Sequence, residues 1–327
     1  MALTARETTS KATLDATDVL NDKAALYDFY DRELRYVLLA QERIRKVSKR
    51  NFFIAAGVSV GLLLWGVMAI LPLADPAERW WTLLWATVIA VVVVRFVYKY
   101  SSSYFRTTFK DNVVSRLVAF LDEGLRFSAG GCVPRISFED SRLFRNIHHY
   151  RGEDLIHGQV SGLDFAFSEV HAQREKRDSK GRKSRTTVFR GMFFAIEMPE
   201  QVPATTMVYP RMASQPRFSR EVERIKLEDP IFERTFNVYA DDQVGARILL
   251  TTRFMEQVMA LRGLCKQTPY LSFSRKHLYI AVPSRENLLE ASLFQSVLNP
   301  LTVRRFISEL DTVLNMAKEL RLQDLRQ

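Results

Sequence analysis

The chain has 327 residues, a net charge of +10 and a pI near 9.6. That length leaves room for one helical segment and one sizeable domain, and the basic balance favours an anionic surface as its neighbour. Nucleic acid would also suit a basic protein, but no RNA- or DNA-binding signature is present, so no nucleic acid is expected as a partner.

Residues 1–20 are polar and rich in Thr, Ala and Asp, and read as a disordered N-terminus. The first apolar run begins too late for a signal peptide. Residues 21–128 read as a helical hairpin. Asn21 or Asp22 can cap its start, and Leu26, Phe29, Tyr30, Leu34, Val37, Leu38, Ile44 and Val47 recur at helical steps. Two apolar runs follow, about 52–73 and 80–99. The first has about 22 uncharged residues, enough to cross the hydrocarbon core as a helix. The second carries Arg95, whose charge can extend to the headgroups, with Trp80, Trp81 and Tyr98 near its ends as interfacial aromatics. Two runs cannot close a barrel, so both are expected as transmembrane helices.

Charge sets their orientation. Arg43, Arg45, Lys46, Lys49 and Arg50 precede the first run, and Lys99, Arg106 and Lys110 follow the second. The intervening loop has only Asp75, Glu78 and Arg79. Basic flanks stay cytoplasmic, so both termini are expected there. Cys132 and Cys265 form neither a disulfide framework nor a metal pair, which fits a reducing compartment. Gly57 and Gly61 form a GxxxG, which allows close helix packing within the hairpin or between copies, hence a homo-oligomer. Beyond the second run, Tyr104, Phe105, Phe109, Val113, Leu117, Phe120 and Leu121 keep a helical period. The two helices should therefore pair as a cytoplasmic stalk that ends at Ala129-Gly130-Gly131.

Residues 129–152 read as a connector, with a short helix between Phe138 and Phe144. Residues 153–327 read as a cytoplasmic α+β domain. Its first two strands flank Ser161-Gly162, pairing Val160 with Leu163, Gly158 with Phe165 and Ile156 with Phe167 on the core face. His157, Gln159, Asp164 and Ser168 fall on the other face. A mobile basic loop follows, Arg174 to Arg185. Further strands are expected at Thr187–Met198, Thr205–Tyr209, Val222–Leu227 and Phe236–Ala240, then a hairpin of Tyr270–Phe273 with Leu278–Val282. Asp229-Pro230, Asp241-Asp242 and Thr251 or Thr252 read as helix starts. Asn299-Pro300 opens a last helix with Val303, Phe306, Ile307, Leu310, Val313, Leu314 and Leu320 as its apolar stripe. The fold class is thus α+β: a transmembrane hairpin with a helical stalk, then a mostly antiparallel sheet packed with C-terminal helices.

Several segments resemble the bacterial domain-of-unknown-function family 3137. They are Gly152-Glu153-Asp154-Leu155-Ile156-His157-Gly158, Asp164 through Val170, Phe189-Arg190-Gly191-Met192-Phe193-Phe194, Leu227 through Pro230, Tyr239 through Gln243, Ala246-Arg247 and Leu278 through Ala281. The resemblance spans about residues 130–322. It implies a two-helix anchor in the bacterial inner membrane and one cytoplasmic domain, and no established catalytic residues. It also implies a LemA-type membrane protein as a neighbour.

No named catalytic or phosphate-binding motif is present, and no cofactor is expected. Asp154 lies opposite Glu169 in the expected register, with His171 two residues on along the same face. Two carboxylates and an imidazole could hold a divalent metal or share a proton. A polar sheet rim is the simpler reading, since no fourth ligand is evident, and no metal site is assigned. Lys176, Arg177, Lys180, Arg182, Lys183 and Arg185 could neutralise anionic phospholipid at about 1 kcal/mol each. His148-His149 reads as a linker pair, and Asp241-Asp242 as caps rather than metal ligands. The function expected is therefore a binding or adaptor module, more a non-enzyme than an enzyme, for a protein partner or an anionic membrane surface. The rival is a membrane-tethered metal-dependent hydrolase using Asp154, Glu169 and His171.

Overall fold

The computed structural model describes residues 34–70, 79–160, 162–177, 181–213, 222–285, 292–298 and 313–314. Helix α1 (Arg35–Ile70) runs without a break through the basic flank and the first apolar run. Helix α2 (Arg79–Phe109) continues through a π-turn (Lys110–Val114) into α3 (Ser115–Leu121). Both long helices are apolar enough to cross a membrane, and 6% and 0% of their apolar windows are buried. A soluble core helix would be covered, so these two suggest membrane association. Gly57 and Gly61 face open space, so the GxxxG does not pack the two helices of the hairpin together. The polar halves do pair, through Leu34, Leu38, Phe105 and a Gln41 Nε2 hydrogen bond to the Thr108 carbonyl at 3.2 Å.

The chain then enters a sheet at once. The elements are β1 (Leu125–Ser128), α4 (Arg135–Asp140), β2 (His149–Val160), β3 (Leu163–Arg177), β4 (Lys183–Glu197), β5 (Thr206–Pro210), β6 (Glu223–Ile225), α5 (Pro230–Thr235), β7 (Phe236–Ala240), α6 (Gln243–Leu249), α7 (Thr252–Leu264), β8 (Tyr270–Ser274) and β9 (His277–Pro283). All described strand pairs are antiparallel, in the order β1-β2-β3-β4-β9-β8-β5-β7-β6. The α+β class holds, with more sheet than the sequence reveals.

One face of the sheet packs against the stalk end and the later helices. Val113, Leu117 and Val118 join Ile156, Phe165, Phe167, Phe194, Phe232 and Phe254 in one cluster. The other face is covered by the segment 131–148, where Val133, Phe138, Leu143 and Ile147 pack with Val170, Phe193 and Tyr279. So the expected connector is a second layer of the domain. Ser168, expected on a polar face, is fully buried beneath it and accepts a hydrogen bond from the Val133 N–H at 3.0 Å. His157, Gln159 and Asp164 are exposed on that face as expected.

The local cap readings hold. Asp229 accepts from the Ile231 and Phe232 N–H groups, Asp242 from Val244 and Gly245, and Thr251 from Phe254. Asp241 instead accepts from the Thr205 N–H at 2.8 Å, fastening β7 to the start of β5. Residues 1–33, residues 71–78, Ser161, Lys180 and the stretch expected as a last helix, apart from the buried Val313 and Leu314, lie outside the described residues.

Candidate functional site

The β2–β3 hairpin keeps the expected register from Val160↔Leu163 to Ile156↔Phe167, then shifts. Asp154 and Leu155 form a bulge there, so Glu153, not Asp154, lies opposite Glu169. Asp154 takes a left-handed conformation, φ +61°, which Asp tolerates better than most residues. The bulge turns its carboxylate inward to full burial, facing Lys110.

Lys110 opens the π-turn and is itself buried. Its ammonium lies 2.7 Å from Asp154 Oδ2 and 3.2 Å from Glu153 Oε2. The apolar stretch of α2 ends near Lys99, about 16 Å away along the helix, so this pair belongs to the domain. Burial opposes the charge on Lys110, but the hydrogen bond and attraction of Asp154, with Glu153 beyond, win and raise its pKa. One oxygen from each of Glu153, Asp154 and Glu169 lies within 4.8 Å of the others, a spacing that could hold a metal ion. The Lys110 ammonium already supplies positive charge to two of those three carboxylates.

His171 is not in that set, contrary to the sequence expectation. It pairs across the sheet with Arg151 on β2 and Arg190 on β4, and its Nε2 lies 3.0 Å from Thr187 Oγ1. Burial, then the positive charges of Arg190 and Arg151, push its pKa down. This row borders a cavity of about 360 Å³ that also reaches Glu153, Glu169 and Ser284. A second cavity of about 500 Å³ opens where β9 leaves β4, and shares His171, Arg190 and Ser284 with the first.

Beyond this row the sheet narrows to two strands. β2 leaves β3 at Gln173 and β9 leaves β4 at Gly191, but β3 and β4 pair on to Arg177↔Lys183. Lys176, Arg177, Lys183 and Arg185 therefore lie on an exposed ribbon, with Arg182 beside it, rather than on the mobile loop expected. Alternating charges hid the strands from pattern reading. Glu175 accounts for part of the order: it pairs with Lys183 at 3.2 Å and with His149 at 3.3 Å. Lys183 first, then His149, hold its carboxyl below the usual range. His148 and His149 are thus strand-end contacts of Glu175, not linker residues.

A last contact joins the domain to the stalk. Arg45 and Glu42 form a buried ion pair, the Arg45 Nη1 donates to the Leu293 carbonyl at 2.9 Å, and Glu42 accepts from the Val297 N–H at 3.3 Å. Phe294 stacks on Tyr98, with ring centroids 5.7 Å apart, and meets Phe52 and Phe53 edge-on. These rings mark the start of the first apolar run and the end of the second. Neither Lys110 nor Phe294 carried a motif; only an odd cation on an apolar helical face could have pointed to the former.

Residues 187–322 match the family described as protein of unknown function (DUF3137). That match supports membership of the family. The DUF3137 match takes in β4 from Thr187, β9 and the segment that grips the stalk, while β2 and β3 precede it. No curated protein matches the chain. Among solved structures, the chain is similar to the crystal structure of the mycobacterial trehalose monomycolate transport factor A, TtfA, at 12% identity and a TM-score of 0.35, over 61% of this chain and 95% of that one.

Proposed function

We propose that this protein is anchored in the bacterial inner membrane by α1 and α2 with both ends cytoplasmic, and that its α+β domain is a non-catalytic module binding the anionic leaflet. The observation that carries this reading is the stack of Phe294 on Tyr98, which holds the domain against the stalk where the apolar stretch begins. The direction of the sheet supports it. Lys110 meets Asp154, and Gly124 lies against Gln159, so the end of the stalk and β2 run side by side. About 16 Å of helix there matches about 17 Å of strand. Followed the other way, Lys110 to Lys99 is about 16 Å of helix, and Glu169 to Arg177 about 26 Å of strand. The basic ribbon is thus long enough to reach the headgroups. Residues 174–185 hold seven basic and two acidic side chains, so the reach carries positive charge.

The test uses the full chain in lipid nanodiscs, with a nitroxide on Ser184→Cys at the ribbon. In discs rich in phosphatidylglycerol the label should lose collisions with a water-soluble relaxant and regain them at high salt. Charge reversal at Lys176, Arg177, Lys183 and Arg185 should abolish the protection. A label equally open to water in neutral and anionic discs would sink the reading. The hydrolase alternative gains less support, because Lys110 sits on two of the clustered carboxylates and His171 faces Arg151 and Arg190 instead. A LemA-type partner at the same surface stays a proposal that cross-linking in native membranes would test.

A further inference from the structure

We propose that the two adjoining cavities at the base of the ribbon form a phosphate-binding site built by Arg151, Arg190 and Arg285, with His171, Thr187 and Ser284 as further donors. The phosphate is that of a lipid headgroup or of a soluble phosphate compound. This site is separate from the ribbon and does not depend on it.

The register alone makes the row. Arg151, His171 and Arg190 are direct partners on three adjacent strands, so their side chains share one face, with neighbouring Cβ atoms about 5 Å apart. Like charges placed opposite one another weaken a sheet. The structure nonetheless sets two guanidinium groups on either side of an imidazole, at the mouth of a cavity. Arg285 extends the positive side into the second cavity, directly after the Ser284 N–H donates to the Arg190 carbonyl at 2.9 Å. Guanidinium forks suit phosphate oxygens in bidentate pairs. The cavities, about 360 and 500 Å³, have room for a phosphate and the group it is attached to. Glu153 and Glu169 also line the first cavity and repel an anion there, so the second cavity, whose lining has no carboxylate, is the better seat beside Arg190 and Arg285.

His171 reports occupancy. Its pKa is held down by burial and by Arg190 and Arg151, so an anion placed among these groups raises it. The experiment follows the His171 ring protons by NMR in the full chain in neutral detergent, assigned by their loss in His171→Asn, while inorganic phosphate is added. A saturable rise in the His171 pKa is expected. Binding should weaken about ten-fold or more in Arg190→Gln. Arg285→Gln, a change in an exposed segment, provides the same test should Arg190→Gln misfold. Lys183→Gln on the ribbon should leave binding unchanged. Phosphatidylglycerol nanodiscs without free phosphate give the same rise if the headgroup is the ligand, and no rise if the ligand is soluble. If His171 stays unmoved in both arms, or responds equally in the arginine variants, the proposal is overturned.

Discussion

Lys110 and Asp154 illustrate how a single buried charge depends on its partner. Asp154 is fully buried and Lys110 nearly so, and their 2.7 Å contact lies where stalk meets sheet. Removing one partner of a buried pair typically costs 3–5 kcal/mol, about the range expected for Lys110→Met. Adding Asp154→Asn should recover much of it, because Asn removes the stranded charge and tolerates the left-handed backbone. Thermal unfolding of both variants in detergent measures this; a Lys110→Met that melts with the wild type would refute it. Glu42 supplies a pH dependence. Its hydrogen bond with Arg45 foremost, then those from Val297 and Ser296, hold its carboxyl below the usual value despite burial. A lowered folded pKa means the contact is intact above the unfolded carboxylate value and weakens as pH falls through the folded one. The protection of the Val297 amide, taken relative to its intrinsic exchange rate at each pH, should therefore fall on acidification and not on alkalinisation. Neither pair was legible in the sequence. Lys110 read as a membrane-flanking charge, and the bulge that turns Asp154 inward leaves no periodic trace.

At the scale of elements, what was legible was local. Asp229, Asp242 and Thr251 could be read as caps because a cap needs only the residue and the next turn. Asp229→Ala should lower stability by about 1 kcal/mol, read from a denaturant midpoint at constant slope. The core face of the β2–β3 hairpin was legible too, since alternation and a two-residue turn fix register. Strand length was not: the charged ends of β3 and β4 look like a loop until their cross-strand partners are known. The β4–β9 pairing was equally hidden, because it joins residues far apart in sequence. There the backbones come so close that Gly191, at φ +151°, would place a Cβ 2.1 Å from the Val282 carbonyl oxygen. Gly191→Ala should loosen β9 from β4, seen as faster exchange of the Phe193 and Ala281 amides; unchanged exchange would show that the strands tolerate the shift.

Across the whole molecule, the helical hairpin and the sheet form one object, because α2 runs through α3 straight into β1 and the 292–298 segment closes back on α1 and α2. The proposed orientation makes a plain prediction: a fluorescent protein fused after Gln327 should glow, and a periplasm-dependent phosphatase at the same point should stay inactive. The reverse result would invert the topology. The apolar runs, their basic flanks and the α+β class were visible from composition and period, whereas the cover of the second face by residues 131–148 was not, since that segment is short and aperiodic. One feature of the strand order bears on biogenesis. β1 to β4 form one meander and β5 to β7 lie in another group, and the β8–β9 hairpin stands between them as the keystone. A ribosome delivers that hairpin late, after both groups of strands have emerged. Until then the nascent chain carries two open flanks, so this protein should depend on a chaperone during synthesis more than its size alone suggests.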